Sequence, residues 1–312
     1  MAENLTSHRP ILAVVLKLLA IFLFVAMSAL IKATADEVPP GQAVFFRSFF
    51  AIPVTFAWLA SRGQLRGGVR TRNPFGHLWR GALGTTSMAL TFAGLGLLPL
   101  PEVTAIGFAT PIFTVILAAL MLGERVRLIR ISAVVIGLVG VTIMLWPRLS
   151  GSAGLEDGAA LGAAFILAAT FGRSLVQIQV RHLVKTENTA TIVLYFSVIA
   201  SMLSLLTLPF GWVLPTQQTV LILISAGLLG GVAQILITSS YRFAPASMLA
   251  PYDYSSMIFA ILIGYVWFAE LPTLVMLAGA ALVVAGNGIV ILREHQLGLE
   301  RAKSRAVNDP KS

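Results

Sequence analysis

Residues 98–124, LPLPEVTAIGFATPIFTVILAALMLGE, and residues 244–270, APASMLAPYDYSSMIFAILIGYVWFAE, are two versions of one segment, 146 positions apart. The shared register extends outward from this segment over about sixty residues without a gap. The matching pairs include Gly81 and Gly227, Gly84 and Gly230, Pro99 and Pro245, Glu124 and Glu270, Gly140 and Gly286, and Ile143 and Ile289. Because proline and glutamate are rare in this chain, the series indicates a duplicated structural unit.

The composition places both copies in a lipid bilayer. The chain is 57% hydrophobic and only 11% charged, whereas about a quarter of an ordinary soluble domain is charged. No soluble core could bury so much apolar sequence, so lipid must act as the solvent. The net charge of +9 comes from basic residues between apolar segments, which indicates a topology signal and no nucleic-acid partner. With no cysteine, disulfides and thiolate chemistry are excluded.

Ten apolar segments are long enough to cross the hydrocarbon, which takes about 20 residues of helix. The predicted spans are 10–32, 41–61, 77–97, 101–122, 127–147, 157–180, 189–210, 217–241, 246–269 and 272–292. The chain is therefore predicted to be an all-α membrane protein with ten transmembrane helices. We expect a first repeat at 10–147, a second repeat at 157–292 and a polar cytoplasmic tail at 293–312.

Basic residues predict the orientation of these spans. Those of the even-numbered loops and the tail are Arg62, Arg66, Arg70, Arg72, Arg80, Arg125, Arg127, Arg130, Arg181, Lys185, Arg242, Arg293, Arg301, Lys303, Arg305 and Lys311. The odd loops offer only Arg148, with Lys32 near one rim. This bias predicts cytoplasmic N- and C-termini. Because each repeat has an odd number of helices, the copies enter from opposite sides and form two inverted five-helix repeats.

The motifs of both copies match a known family. They are Leu98-Pro99-Leu100-Pro101-Glu102, Leu122-Gly123-Glu124 and Gly137–Gly140 in the first copy, and Phe243–Ala246, Ala269-Glu270 and Gly279–Gly286 in the second. With these motifs the chain resembles the EamA type of the drug/metabolite transporter superfamily. The resemblance implies a multi-pass protein of the bacterial inner membrane that moves a small-molecule substrate. It implies no cofactor and no enzymatic activity.

A narrower likeness lies near the N-terminus. The runs 38–42, VPPGQ, 46–50, FRSFF, and 73–77, NPFGH, look like bacterial riboflavin importers of this superfamily. They are also similar to members assigned to S-adenosylmethionine uptake. The resemblance favours riboflavin uptake by alternating access, with S-adenosylmethionine uptake or amino-acid and metabolite export as the alternatives.

Charged residues inside the bilayer are the first candidates for substrate binding, because such charges are costly and usually face a cavity or a partner. They are Lys17, Arg47, Arg173 and Asp253. A rise of about 1.5 Å per residue puts all but Arg47 in one layer of the cytoplasmic half. Asp253 is expected to pair with Lys17 or Arg173 and to release that partner for substrate or a proton. The alternative is a permanent structural pair, or basic side chains that reach the headgroups.

Arg47 lies in the other half, where it could attract an anionic or phosphate-bearing substrate. An ion pair with Glu102 would instead give it a structural role. Tyr252 and Tyr254 flank Asp253 and could stack on a flat polar ring. Adjacent helical residues do not share a face, so only one or two of this trio could meet one ligand.

Polar and proline residues complete the predicted site. Gln177 and Gln234 are weaker binding candidates, because most polar residues in spans make interhelical hydrogen bonds. Pro111 and Pro251 are expected hinges, since a proline inside a helix leaves a carbonyl without its donor. They are not equivalent under the offset, so the two copies are kinked differently.

Other protein classes fit the sequence poorly. A lipid-modifying membrane enzyme would need a cluster of paired acids, or serine with histidine, at one interface. The four histidines lie in predicted loops and tails at positions 8, 77, 182 and 295, so no metal site is expected. A channel or scaffold would not need a layer of buried charges. We expect the lipid bilayer to surround the protein as its partner. The sequence is compatible with a homodimer and does not decide the oligomeric state.

Overall fold

The structure is a computed structural model of the chain. It describes residues 10–63, 65, 71, 73–122, 128–149, 158–183, 186–187, 189–244, 249–286 and 288–289. Within these ranges all regular structure is helical, and the helices form ten membrane spans in two inverted repeats of five. The all-α prediction is therefore confirmed.

The helices of the first repeat are α1 (Pro10–Ala33), α2 (Pro40–Phe49), α3 (Ala51–Ser61), α4 (Pro74–Leu97), α5 (Leu100–Gly107), α6 (Thr110–Leu122) and α7 (Leu128–Leu149). Those of the second are α8 (Ala159–Leu183), α9 (Thr189–Leu205), α10 (Gln217–Phe243), a 3₁₀ helix (Ala250–Tyr254), α11 (Ser255–Phe268) and α12 (Leu274–Gly286). We call the end of the bundle where α1 begins the Lys17 end, and the end where α1 stops the Lys32 end.

The duplication read from the sequence reappears in the helix boundaries. Helices α4 and α10 end at equivalent residues, as do α6 and α11, while α7 and α12 begin at equivalent residues. The packing repeats as well: α1 lies along α10, and its counterpart α8 lies along α4. Contacts of α6 with α8 likewise mirror those of α11 with α1. Such exchanged pairs are expected when two copies interlock about a pseudo-two-fold axis.

Two predicted spans are each built from two α-helices, and proline explains both breaks. The predicted span 41–61 divides between α2 and α3, because Pro53 has no N–H for the carbonyl of Phe49. The span 101–122 divides between α5 and α6, where Pro111 cannot donate to Gly107. There the Thr110 hydroxyl donates to the Gly107 carbonyl instead, at 2.8 Å.

Two further differences from the predicted helix ends have a local cause. The seventh span ends at Leu205 and not at 210, because Pro209 offers no N–H to the Leu205 carbonyl, which accepts from Leu208 N instead. The third span begins at Pro74 and not at 77, because the Asn73 side chain caps the helix by accepting from Gly76 N. The predicted tail 293–312 lies outside the described residues.

The bundle is apolar outside as well as inside. Within the described residues, four helical stretches are long and apolar enough by themselves to cross a membrane: Ile11–Ala33, Pro40–Ser61 (α2 with α3), Ala159–Val180 and Gln217–Ser240. Large side chains such as Leu120, Val266 and Leu274 are mostly exposed, as expected of a surface that faces lipid. The most extensive buried cluster among the described residues runs through the bundle and joins helices of both repeats.

Candidate functional site

An ion pair joins the two repeats near the Lys17 end. Lys17 Nζ lies 2.7 Å from Asp253 Oδ1. The lysine side chain is 1% exposed and that of the aspartate 51% exposed, so a buried cation meets a half-accessible anion. Of the two predicted partners of Asp253, the structure places Lys17 in contact with it. Whether this pair binds substrate stays a prediction.

The ninth span carries Asp253 on an irregular start. Residues Ala250–Tyr254 form a 3₁₀ helix with proline in its first turn, and the regular helix α11 begins only at Ser255. Pro251 therefore lies in a helical segment of different geometry from α11, and its role as a hinge stays a prediction. Ser247, four residues before Pro251, is where the carbonyl left without its donor would be expected, and it lies outside the described residues.

The two tyrosines beside Asp253 have different surroundings. The ring of Tyr254 packs edge-on against Phe108, with centroids 5.3 Å apart, at the break between α5 and α6. Tyr252 is partly buried, and its backbone carbonyl accepts from the Ser255 hydroxyl. The aromatic contact thus brings the broken fourth and ninth spans together at the centre of the molecule.

Arg173 and Gln177 face the fourth span from α8. A Cβ on Gly107 would lie 3.9 Å from an Arg173 terminal nitrogen, so the guanidinium points at the break before Pro111. One turn further along α8, Gln177 Oε1 accepts from the Thr114 hydroxyl at 3.0 Å. Arg173 Nε is buried and has no hydrogen-bond partner in the described part of the chain. These residues form a second polar patch around the predicted hinge.

Arg47 and Gln234 lie elsewhere. Arg47 is 6% exposed and stands over the Phe196 ring of α9, with its Cζ 5.8 Å from the centroid. Its pairing with Glu102 stays a prediction. Gln234 is partly buried on α10, where its backbone carbonyl accepts from the Thr238 hydroxyl. The predicted site residues are therefore spread over at least three places in the bundle.

A second ion pair, which was not predicted from the sequence, joins α1 to the end of the ninth span at the Lys32 end. Lys32 Nζ lies 3.0 Å from Glu270 Oε1 and donates to the carbonyls of Leu95 and Leu98. Glu270 Oε2 accepts from Leu100 N at 2.8 Å. Glu270 could have been singled out, because it is one of the residues that repeat at the offset of 146. Lys32 was instead grouped with the basic residues near the edge of the membrane. Both partners are about 15% exposed, so the pair is largely shielded from solvent.

Further contacts tie the repeats at the Lys32 end. Glu37 accepts from the hydroxyl of Thr219 and the backbone N–H of Thr216. These bonds hold the pKa of the Glu37 carboxyl below its usual value, with the Thr219 bond as the larger cause. The Gln42 amide exchanges two hydrogen bonds with the backbone of Val213. The loops after α1 and α9 are thus bonded together beside the Lys32–Glu270 pair.

A cavity of about 290 Å³ opens at the same end. Its walls come from α1, α2, α4 and α8 and are mostly apolar, with Phe92, Phe165 and Asp36 among them. It includes none of the residues predicted to bind substrate. The buried charges and this cavity are therefore separate features of the bundle.

Ten spans in two inverted repeats, with buried charges between the repeats, define a multi-pass membrane transporter of small molecules. The EamA-like transporter family matches residues 11–146 and 160–292. The chain belongs to this family, whose members are transporters of the bacterial inner membrane and not enzymes.

Several relatives align along most of the chain. The S-adenosylmethionine uptake transporter of Rickettsia bellii is 28% identical over 253 residues, 81% of this chain and 84% of that protein. The riboflavin transporter of Rhizobium johnstonii is 29% identical over 257 residues, 82% of each chain. The pseudopaline exporter CntI of Pseudomonas aeruginosa is 25% identical over 274 residues, 87% of this chain and 93% of the exporter. Their named substrates differ, so they agree on transport and leave the substrate open.

A solved structure has the same fold. It superimposes with a TM-score of 0.64 over 91% of this chain and 98% of its own, at 20% sequence identity. At that identity it supports the architecture alone.

Proposed function

We propose that the chain is a secondary transporter that takes up a flat heteroaromatic metabolite, riboflavin in the first place, by alternating access. Uptake would be driven by a gradient or by exchange. In this proposal the termini are cytoplasmic, so the Lys17 end faces the cytoplasm and the Lys32 end faces the periplasm. The division into repeats at 10–147 and 157–292, the cytoplasmic tail and the homodimer stay predictions beside it.

One observation carries the mechanism: α1 is bonded to the ninth span at both of its ends. Lys17 meets Asp253 at one end, and Lys32 meets Glu270 at the other. A transporter must open one end while the other stays closed, and two ion pairs that join α1 to residues on either side of α11 supply two separable closures. Asp253 is half exposed, so substrate or a proton could reach this pair from the Lys17 end.

The polar and aromatic groups beside these closures suit a flat ring with polar edges. Tyr254 and Phe108 form an apolar edge-on pair, which offers ring contacts of the kind that favour aromatic ligands. Gln177 and Arg173 supply an amide and cationic donors near the break in the fourth span. Likeness to a named riboflavin transporter supports this choice.

S-adenosylmethionine is the second candidate. Its adenine is also flat, and its sulfonium and ammonium groups would be attracted by the half-exposed Asp253 carboxylate. Relatives named for its uptake support it. Export of an amino acid or of another metabolite is the remaining alternative, and likeness to a pseudopaline exporter keeps it open.

Uptake by reconstituted protein separates these candidates. Proteoliposomes are loaded with unlabelled riboflavin or S-adenosylmethionine and supplied with the same compound radiolabelled outside. We expect saturable exchange of riboflavin, and rescue of a riboflavin-auxotrophic bacterium at low vitamin concentration. Exchange of S-adenosylmethionine alone would replace the first candidate by the second. Exchange of neither, from protein that is folded and correctly inserted, would refute uptake of both.

A further inference from the structure

Buried polar atoms without partners are concentrated in one part of the bundle. Eight buried side-chain nitrogen or oxygen atoms lack a hydrogen-bond partner within the described residues. Apart from the one on Arg173, all belong to α2, α4 and α9: Arg47 Nε, Ser48 Oγ, both ring nitrogens of His77, Nε and one terminal nitrogen of Arg80, and Thr191 Oγ1. Buried polar groups are normally bonded, so such a cluster calls for a ligand or water.

Two of these residues are arginines that share one aromatic ring. The Cζ atom of Arg80 lies 4.0 Å from the Phe196 ring centroid, and that of Arg47 lies 5.8 Å from it. Arg80 was assigned to a loop by its sequence position, but it belongs to the second turn of α4. The guanidinium groups of α2 and α4 thus converge on one side chain of α9.

Phe196 cannot balance these charges. An aromatic face attracts a cation but accepts none of its N–H groups in ordinary hydrogen bonds. The three ion pairs found among the described residues involve Lys17, Lys32 and His77, and neither of these arginines. Two like charges held together in a low-dielectric interior repel each other and lose their hydration. An anion between them would relieve both costs.

We propose that Arg47 and Arg80 bind an oxyanion, a carboxylate or a phosphate, beside Phe196. The planar guanidinium offers paired N–H donors that match such oxygens, and the nitrogens without partners are the donors available for it. Arg47 is about 10 Å along its helix from the Lys32 end, below the headgroup level. The site lies between α2, α4 and α9, and it does not depend on the Lys17–Asp253 pair or on riboflavin as the substrate.

Binding of inorganic phosphate to the purified full-length protein in nonionic detergent tests this site. The thermal midpoint is followed during titration with phosphate, at constant ionic strength set with chloride. We expect a saturable rise in the wild-type protein and, in Arg47→Gln and Arg80→Gln, a dissociation constant weaker by about tenfold or more. Arg62→Gln is the matched control, because Arg62 also stands over a ring, that of Trp58, but is exposed. It should respond as the wild type does.

Two further variants separate a binding site from a structural one. Arg80→Met removes one buried charge and keeps the volume, so it should raise the midpoint without phosphate and abolish the response to phosphate. A lower midpoint with an intact response would overturn the proposal. Arg80→Lys keeps the positive charge but lacks the paired N–H donors of a guanidinium group. This variant should remain folded and bind phosphate more weakly than the wild type does.

The source of the oxyanion is resolved by adding lipid. If phosphatidylglycerol raises the thermal midpoint while phosphatidylcholine and free phosphate do not, the site binds the phosphate of an anionic lipid headgroup. A response to free phosphate would assign it to a soluble ligand. No response to either, or equal responses in the wild type and both glutamine variants, would refute an oxyanion site. Because no transport is measured, failure here leaves the proposed riboflavin uptake untouched.

Discussion

Replacement of the partners in the Lys17–Asp253 pair should have unequal effects on stability. Asp253→Asn removes the carboxylate that faces Lys17, whose side chain is only 1% exposed. Lys17→Met leaves Asp253 without its lysine, but this aspartate is 51% exposed and can be solvated by water. A hydrogen bond to a charged group contributes about 1.5–3 kcal/mol. Solvent screening at the half-exposed carboxylate reduces this to about 1–2 kcal/mol. We therefore expect Asp253→Asn to lower the free energy of unfolding by about 1–2 kcal/mol, and Lys17→Met by less than about 1 kcal/mol.

A double-mutant cycle measures this interaction directly. Unfolding of the purified single and double variants in mixed micelles should give a coupling energy of about 1–2 kcal/mol, because the second change removes a charge that no longer faces the Asp253 carboxylate. Lys17→Met combined with Asp36→Asn is the control, since Asp36 is exposed and belongs to the other end of α1. Additivity within about 0.5 kcal/mol at Asp253 would refute the reasoning. A greater loss from Lys17→Met than from Asp253→Asn would refute it as well.

Three smaller predictions concern the helix crossings and the Lys32 end. Gly140→Ala should destabilise the protein by about 1–3 kcal/mol, because the new Cβ would lie 2.6 Å from the Gly279 carbonyl oxygen. Ala269 ends α11 at φ 52°, so Ala269→Gly should raise the free energy of unfolding by up to about 1 kcal/mol. Because its hydrogen bonds lower the pKa of Glu37, its contribution is present above the ordinary carboxyl pKa of 4.5 and disappears as pH falls through the lower folded value. Glu37→Gln should therefore flatten the acid limb of the stability profile.

Each of these has a control in the same chain. A Cβ at Gly288 would meet nothing within 4 Å among the described residues, so Gly288→Ala should not destabilise the protein. An equal loss of stability at both glycines would contradict the packing argument. For Ala269→Gly, a lower thermal midpoint would show that the left-handed residue is not strained. For Glu37, an acid profile of Glu37→Gln that matches the wild-type profile would contradict the assigned bonds.

The architecture could be predicted because lipid imposes simple rules on sequence. Span length, basic loops and the offset of 146 gave ten helices and two inverted copies, and the helix boundaries follow the same offset. Even the cap of α11 obeys it, since Ala269 stands where the first copy has Gly123. The break between α2 and α3 before Pro53, and the early end of α9 before Pro209, were not predicted. Both are local effects of proline, which a count of apolar residues does not detect.

The site was only partly predictable, because side-chain partners depend on how distant helices meet. Lys17 and Asp253 were recognisable as opposite charges at the same depth in two predicted spans, and the structure brings them together. Arg80 was not recognisable, because its position near a loop resembled a topology signal while its long side chain enters the bundle. Lys32 was overlooked for the same reason: charge counting says which end a residue faces, not what it contacts.

The central claim is that a small solute passes between the repeats at the Lys17–Asp253 pair. Exchange of radiolabelled riboflavin into proteoliposomes tests it most directly, with the wild type, Asp253→Asn and the control Asp36→Asn compared at equal amounts of folded protein and over a range of pH. The account predicts saturable exchange by the wild type and the control, and at least an approximately tenfold loss or an altered pH profile in Asp253→Asn. Equal rates and equal pH dependence in all three proteins would contradict it.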